Sequence, residues 1–181
     1  MSSGFVERMI RAAKLDVRLY EEVEADKGAM GQAMAVVILS SLAAGIGSIG
    51  VIGVKGVIVI TLSALVGWFI WAYLTYLIGT KILPEPQTKS NPGELMRTIG
   101  FSNSPGILRA LGFIPLLGWV LSFVVGVWML AAMIIAVKQA LDYESTLRAV
   151  GVCVIGWIIY MVVIMAFMAI FGGTGGMEGL T

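Results

Sequence analysis

RTIGFSNSPGILRALGFIPLLGWVLSFVVGVWMLAAMIIAVKQALDYESTLR, residues 97–148, is the stretch whose reading decides the fold. From 110 to 137 it carries no Asp, Glu, Lys or Arg, and it then closes on a short charged turn, 138–148. An uncharged run of that length exceeds the roughly 20 residues a helix needs to cross a bilayer core. The earlier part is ambiguous. Residues 99–117 are apolar enough to enter a membrane, yet Arg109 stands in their middle, and Pro105 and Pro115 interrupt them. Proline inside a helix removes a hydrogen bond and clashes with the preceding turn, so a short, irregular segment is expected here.

Working outward, three more runs lack charge: 29–54, 56–80 and 149–177. Lys55 alone separates the first two, which predicts a hairpin with a tight turn at that residue. Residues 81–92, KILPEPQTKSNP, hold three prolines among polar spacers and read as a loop. Asn91-Pro92-Gly93-Glu94 then opens a helix, with Pro92 in the first turn and Glu94 at the positive end of its dipole. Of the 181 residues, 59% are hydrophobic and 13% charged. A soluble domain has roughly 45–50% apolar and about 25% charged residues. This chain cannot cover a water-facing surface, so lipid must be the solvent for much of it. The fold class is an all-α polytopic transmembrane bundle of about five spans, near 30–53, 57–80, 99–117, 118–140 and 146–171. An amphipathic helix within residues 1–28 precedes this 29–172 membrane domain, and a Gly-rich tail, 173–181, follows it.

Charge counting bears on the doubtful third segment. With five spans and a cytoplasmic N-terminus, ten of the 12 Lys and Arg lie inside, Lys55 lies outside and Arg109 is within the membrane. With four spans, Lys138 and Arg148 move outside, against the positive-inside bias. The cost of the five-span reading is Arg109, about 2.5–3.5 kcal/mol at mid-depth on an insertion scale. The segment 99–117 is therefore expected to cross, with the C-terminus outside.

Within residues 5–24, Val6, Ile10, Ala13, Val17 and Tyr20 recur at helical spacing, with Arg8, Arg11, Lys14 and Arg18 on the flanks. Such a helix lies in the headgroup region or packs on the protein's own underside; the pattern does not separate the two. The opening residues lack the apolar core and cleavage site of a signal peptide, so insertion is expected through the first span. Ser2 after the initiator Met excludes N-myristoylation.

Little chemistry is offered. The absence of His, with one Cys, excludes a His-ligated zinc site, a Ser-His-Asp triad and an intrachain disulfide. No cofactor is expected, and a net charge of +1 gives no basic footprint for nucleic acid. Arg109 has two readings: a ligand for an anion or lipid headgroup, or a side chain that snorkels or meets a backbone carbonyl. Lys138 and Asp142, spaced i, i+4, with Glu144 and Arg148 after them, suggest a charged clasp, with Ser145 capping the last helix. Ala43/Gly47, Ala44/Ser48 and Ala132/Ala136/Ala140 are small-residue strips suited to close helix packing, within one bundle more readily than between copies. Trp68, Trp71, Trp128 and Trp157, near mid-span, are expected inside the bundle, where an indole N–H needs a partner.

Leu19-Tyr20-Glu21-Glu22 before the first span, Thr98-Ile99-Gly100-Phe101-Ser102-Asn103-Ser104-Pro105-Gly106, and Ala140-Leu141-Asp142-Tyr143 before Arg148-Ala149-Val150-Gly151 resemble the Yip (Ypt/Rab-interacting protein) family of multi-pass membrane proteins, most closely its prokaryotic branch. The resemblance spans nearly the whole chain. It implies a cytoplasmic N-terminus, about five spans and residence in a prokaryotic cell membrane. Eukaryotic relatives bind Rab-type GTPases and carry Asp-Leu-Tyr-Gly-Pro before the spans. This chain retains only Leu19-Tyr20 of that motif, so Rab binding does not transfer. The expected function is non-enzymatic: organising membrane or binding a partner through the cytoplasmic face, with the bilayer, a protein partner or a second copy as its contacts. The alternative is a transporter or channel subunit for a small solute, using Arg109 and the broken third segment. Candidate functional or structural residues are Arg109, Lys138, Asp142, Arg148, Leu19 and Tyr20.

Overall fold

The computed structural model describes residues 4–114 and 117–171. The tail at 173–181 and Pro115, expected to end the third segment, lie outside the described residues. All regular structure among the described residues is helical, and the fold is a transmembrane helical bundle.

The N-terminal helix is two helices, α1 (Phe5–Ala13) and α2 (Val17–Ala25). Leu15 between them has φ 61°, a left-handed conformation that costs an L-residue, which is why periodicity alone does not reveal the break. Asp16 supports the elbow by accepting from the Arg18 N–H at 3.0 Å, so that it caps α2. The expected apolar stripe is thereby divided. Val6, Ile10 and Val17 face outward, while Tyr20 turns fully into the core and donates its hydroxyl to Ala12 O.

A 3₁₀ turn, Lys27–Ala29, leads into α3 (Met30–Gly47), and α4 (Ile49–Leu77) follows after Ser48. The hairpin turn therefore falls over 48–53, ahead of Lys55. It closes at Gly53, whose φ 62°, ψ 178° is open essentially to glycine alone and breaks the helix there. Lys55 lies beyond that break, on the exposed surface of α4. Next come a π turn (Ile78–Ile82), a loop and α5 (Pro92–Ser102). The start of α5 is the expected one: Asn91 and Glu94 form a reciprocal capping box with Pro92 in the first turn. α6 (Leu117–Ala140) and α7 (Thr146–Phe171) complete the bundle.

Four helices are long and apolar enough to cross a membrane: Lys27–Gly47, Ile49–Ile82, Gly118–Ala140 and Thr146–Val163. The third expected segment is not among them, because α5 stops at Ser102. There Ser102 Oγ and Asn103 Nδ2 both donate to Ile99 O, and the chain continues as a 3₁₀ helix, Ser104–Phe113. This broken segment nevertheless runs alongside α3 from one end to the other. A Cβ added at Gly93 would lie 3.9 Å from Met30, one at Gly100 2.6 Å from Ala33, and one at Gly106 2.0 Å from Ser40 Oγ. A Cβ added at Gly47, the last residue of α3, would lie 2.1 Å from Arg109 O. The described residues thus contain four long continuous helices and one broken helical segment packed beside α3.

Of the expected small-residue strips, Ala43/Gly47 and Ala132/Ala136/Ala140 serve this internal packing, whereas Ser48 of the Ala44/Ser48 pair is exposed in the turn. Gly45 receives Val57 of α4, Gly47 receives the 3₁₀ segment, and Ala132, Ala136 and Ala140 are fully buried. A buried apolar cluster that includes Leu19, Leu95, Phe101, Val137 and Leu141 underlies the charged end of the bundle, where 83–91 and 138–148 gather.

Candidate functional site

Two features stand out: the ordered polar structure of the charged end, and a cavity between the helices. At the charged end, the basic residues of α1 point inward. Arg8 is 4% exposed, meets Glu22 and Asp26 at 2.9 Å each, and donates to Gln32 of α3 at 3.1 Å. Arg11 joins Asp16 at 2.8 Å and Glu22 at 2.7 Å. Arg97 of α5 is buried and donates to Val23 O at 2.8 Å and to Glu24 O, fastening the end of α2. Farther along the flank, Trp128 of α6 donates its indole N–H to Ala13 O at 2.7 Å. These pairings invert the usual amphipathic arrangement for the two α1 arginines, which turn inward while Val6 and Ile10 face outward, 65% and 51% exposed.

The electrostatics follow. Hydrogen bonds from Arg11 hold the Asp16 carboxyl below the usual carboxylate range, and Arg8 does the same for Asp26. Glu24 goes the other way: burial first, then the negative charges of Asp142 and Glu94, push it up to about 7. Leu19 and Tyr20 are both fully buried, so these two motif-related residues act as core and hold α2 against the bundle.

The turn between α6 and α7 is fastened differently from the expected clasp. α6 ends at Ala140, and Asp142 adopts φ 53°, so Lys138 and Asp142 no longer share a helical face. Lys138 instead donates to Thr146 Oγ1 at 3.1 Å. Ser145 does cap α7, accepting from the Arg148 N–H at 3.4 Å. The organising residue is Glu85, in the proline-rich loop. It accepts from the Glu144 N–H at 2.9 Å and the Ser145 N–H at 3.4 Å, and lies 3.4 Å from Arg148 Nε. Arg148 also donates to Pro84 O at 2.8 Å. Tyr143 donates to Gly79 O and Leu83 O, serving carbonyls at the irregular end of α4; burial pushes its phenol up to about 12. Sequence reasoning missed Glu85 because its partners lie some 60 positions away, and its only local signal was an acid between two prolines.

The cavity, of about 670 Å³, lies between α3, α4, the broken segment, α6 and α7. Arg109 lines it from the 3₁₀ segment, with Asn103, Ser40, Ser63, Trp71 and Tyr160 supplying the other polar edges. The Arg109 guanidinium lies beside Gly126 of α6, where an added Cβ would be 3.8 Å from Nη2. Its Nε is buried without a hydrogen-bond partner, and so is the Trp71 indole N–H. Of the tryptophans expected inside, Trp68 is buried and donates to Met96 O at 3.0 Å, whereas Trp157 is largely exposed at the bundle's perimeter. The arrangement is a half-buried cation with unused donors in a space of ligand size.

A family model described as the Yip1 domain matches residues 18–178. No curated protein and no solved structure matches the chain.

Proposed function

The chain belongs to the Yip family of membrane proteins, and from that membership we propose that it is a non-enzymatic organiser of the membrane that works through its charged end. It is a multi-pass integral membrane protein; the assignment of the charged end to the cytoplasm, in a prokaryotic cell membrane, is part of the proposal. The observation that carries the reading is the outward stripe of Val6, Ile10 and Val17 on a helix pair whose Arg8 and Arg11 are spent on inward ion pairs. A surface helix with its apolar side exposed and these two arginines already paired suits the boundary between headgroups and acyl chains. The α1–α2 pair is then a wedge fixed to the bundle, and the 83–91 loop and 138–148 turn beside it form a rigid surface for a protein partner or a second copy. Rab-type recognition is not carried over, since the residues retained from that motif are in the core.

The test is site-directed spin labelling of the full chain in bilayers, at positions 6, 10 and 17 and, for contrast, at exposed Lys14 and Arg18. High accessibility to oxygen and low accessibility to an aqueous nickel reagent at 6, 10 and 17 alone is the expected result. Equal aqueous exposure at all five positions refutes the wedge. The second reading, a transporter or channel subunit for a small solute, draws on the cavity at Arg109. Reconstituted flux that disappears in Arg109→Ala would favour that reading over the wedge.

A further inference from the structure

We infer that the cavity beside Arg109 binds the anionic headgroup of a membrane lipid, with the acyl chains leaving through the perimeter of the bundle. Three observations converge on this. First, the charge is unmatched: Arg109 has no carboxylate within ion-pair distance among the described residues, and no Asp or Glu lines the cavity. A guanidinium inside a membrane domain costs free energy unless an anion or other acceptor reaches it, and its planar fork matches phosphate oxygens. Second, the donors are ready. Among the described residues, Arg109 Nε and Trp71 Nε1 are buried without partners, and both residues line this cavity. Buried donors left unmade are expensive, and an anionic ligand supplies the acceptor oxygens that the guanidinium lacks.

Third, the cavity has an apolar lateral lining. Ile60 of α4, Leu130 of α6 and Trp157 of α7 line it, are exposed, and belong to helices long and apolar enough to cross a membrane, so a lateral opening there would meet lipid. A free aqueous anion would have to cross that border, whereas a lipid can keep its chains in the hydrocarbon. The glycines fit this use. Gly126 leaves room beside the guanidinium, and Gly67 faces open space, with nothing within 4 Å of an added Cβ. The inference does not depend on the wedge at the charged end.

The experiment uses the full chain purified in a neutral detergent, titrated with dioleoylphosphatidylglycerol, with zwitterionic dioleoylphosphatidylcholine, and with inorganic phosphate. Native mass spectrometry reads lipid occupancy, and the thermal unfolding midpoint reads phosphate. Saturable one-to-one binding of the anionic lipid is expected, with phosphatidylcholine much weaker and phosphate without effect at millimolar concentration. Arg109→Gln should weaken phosphatidylglycerol by about tenfold or more, the share of one charge-assisted contact, while Arg109→Lys, which keeps the charge but not the planar fork, retains only part of it. If Arg109→Gln does not yield folded protein, Gly67→Phe decides. It adds a ring to the cavity from α4 while leaving Arg109 in the sequence, and it should abolish lipid binding at unchanged oligomeric state. Equal binding of both lipids, or binding unchanged in Gly67→Phe, overturns the assignment. Stabilisation by phosphate equal to that by the anionic lipid also overturns it, in favour of a free-anion site.

Discussion

Two glycines three positions apart offer a sharp test of how the broken third segment is held. Gly47 ends α3 with the backbone of Arg109 against it, and a Cβ there would sit 2.1 Å from Arg109 O. Ordinary contact begins at 3.4 Å, so in Gly47→Ala the 3₁₀ segment must retreat by about 1.3 Å or α3 must bend away. The obstacle is main chain, which cannot rotate aside as a side chain can. Overpacking of this kind costs about 1–3 kcal/mol, a drop of roughly 5- to 150-fold in the folded-to-unfolded ratio. Gly50, just inside α4, meets nothing within 4 Å. Gly50→Ala should therefore be neutral or stabilising by up to about 1 kcal/mol, from the lower conformational freedom of alanine in the unfolded chain. Both variants would be unfolded reversibly in mixed detergent–SDS micelles with tryptophan fluorescence as the probe. Hydrogen exchange over 104–113 would show whether the broken segment is what loosens. Variants of equal stability, within about 0.5 kcal/mol, refute the claim that Gly47 is the seat of that segment.

A pH dependence should arise at Glu24. Because its pKa is raised from 4.5 to about 7 in the folded state, the native protein holds this proton to higher pH than the unfolded chain does. Stability contributed by the protonated carboxyl is complete below about pH 4.5 and is lost as pH rises through about 7. Glu24→Gln should flatten that slope in unfolding midpoints measured from pH 5 to 8 and raise stability at the alkaline end; an unchanged slope rejects the assignment. Topology is the other expectation: a reporter active only in the cytoplasm, fused after Thr181, should be silent if 92–113 crosses the membrane, and an active reporter rules out five crossings.

Much of the architecture was legible in the sequence because it rests on short-range chemistry. Four long uncharged runs can only be solvated by lipid, whatever their neighbours. The α5 start is written in Asn91, Pro92 and Glu94, whose capping bonds span three residues, and Asn103-Ser104-Pro105 ends the helix just as locally. Arg109 stood out by itself, as a cation where cations are costly. Other features depended on which helices meet. Nothing near Arg8 in sequence announces Gln32, nothing near Trp128 announces Ala13, and Glu85 needed the far end of α6 to acquire its role. A glycine strip announces that some backbone will come close, but only packing selected Gly45 and Gly47 for contact and left Gly50 open. The inward turn of the α1 arginines was decided the same way. Periodicity defines the faces of a helix, while the side that is buried depends on partners that the tertiary fold brings from up to 115 residues away.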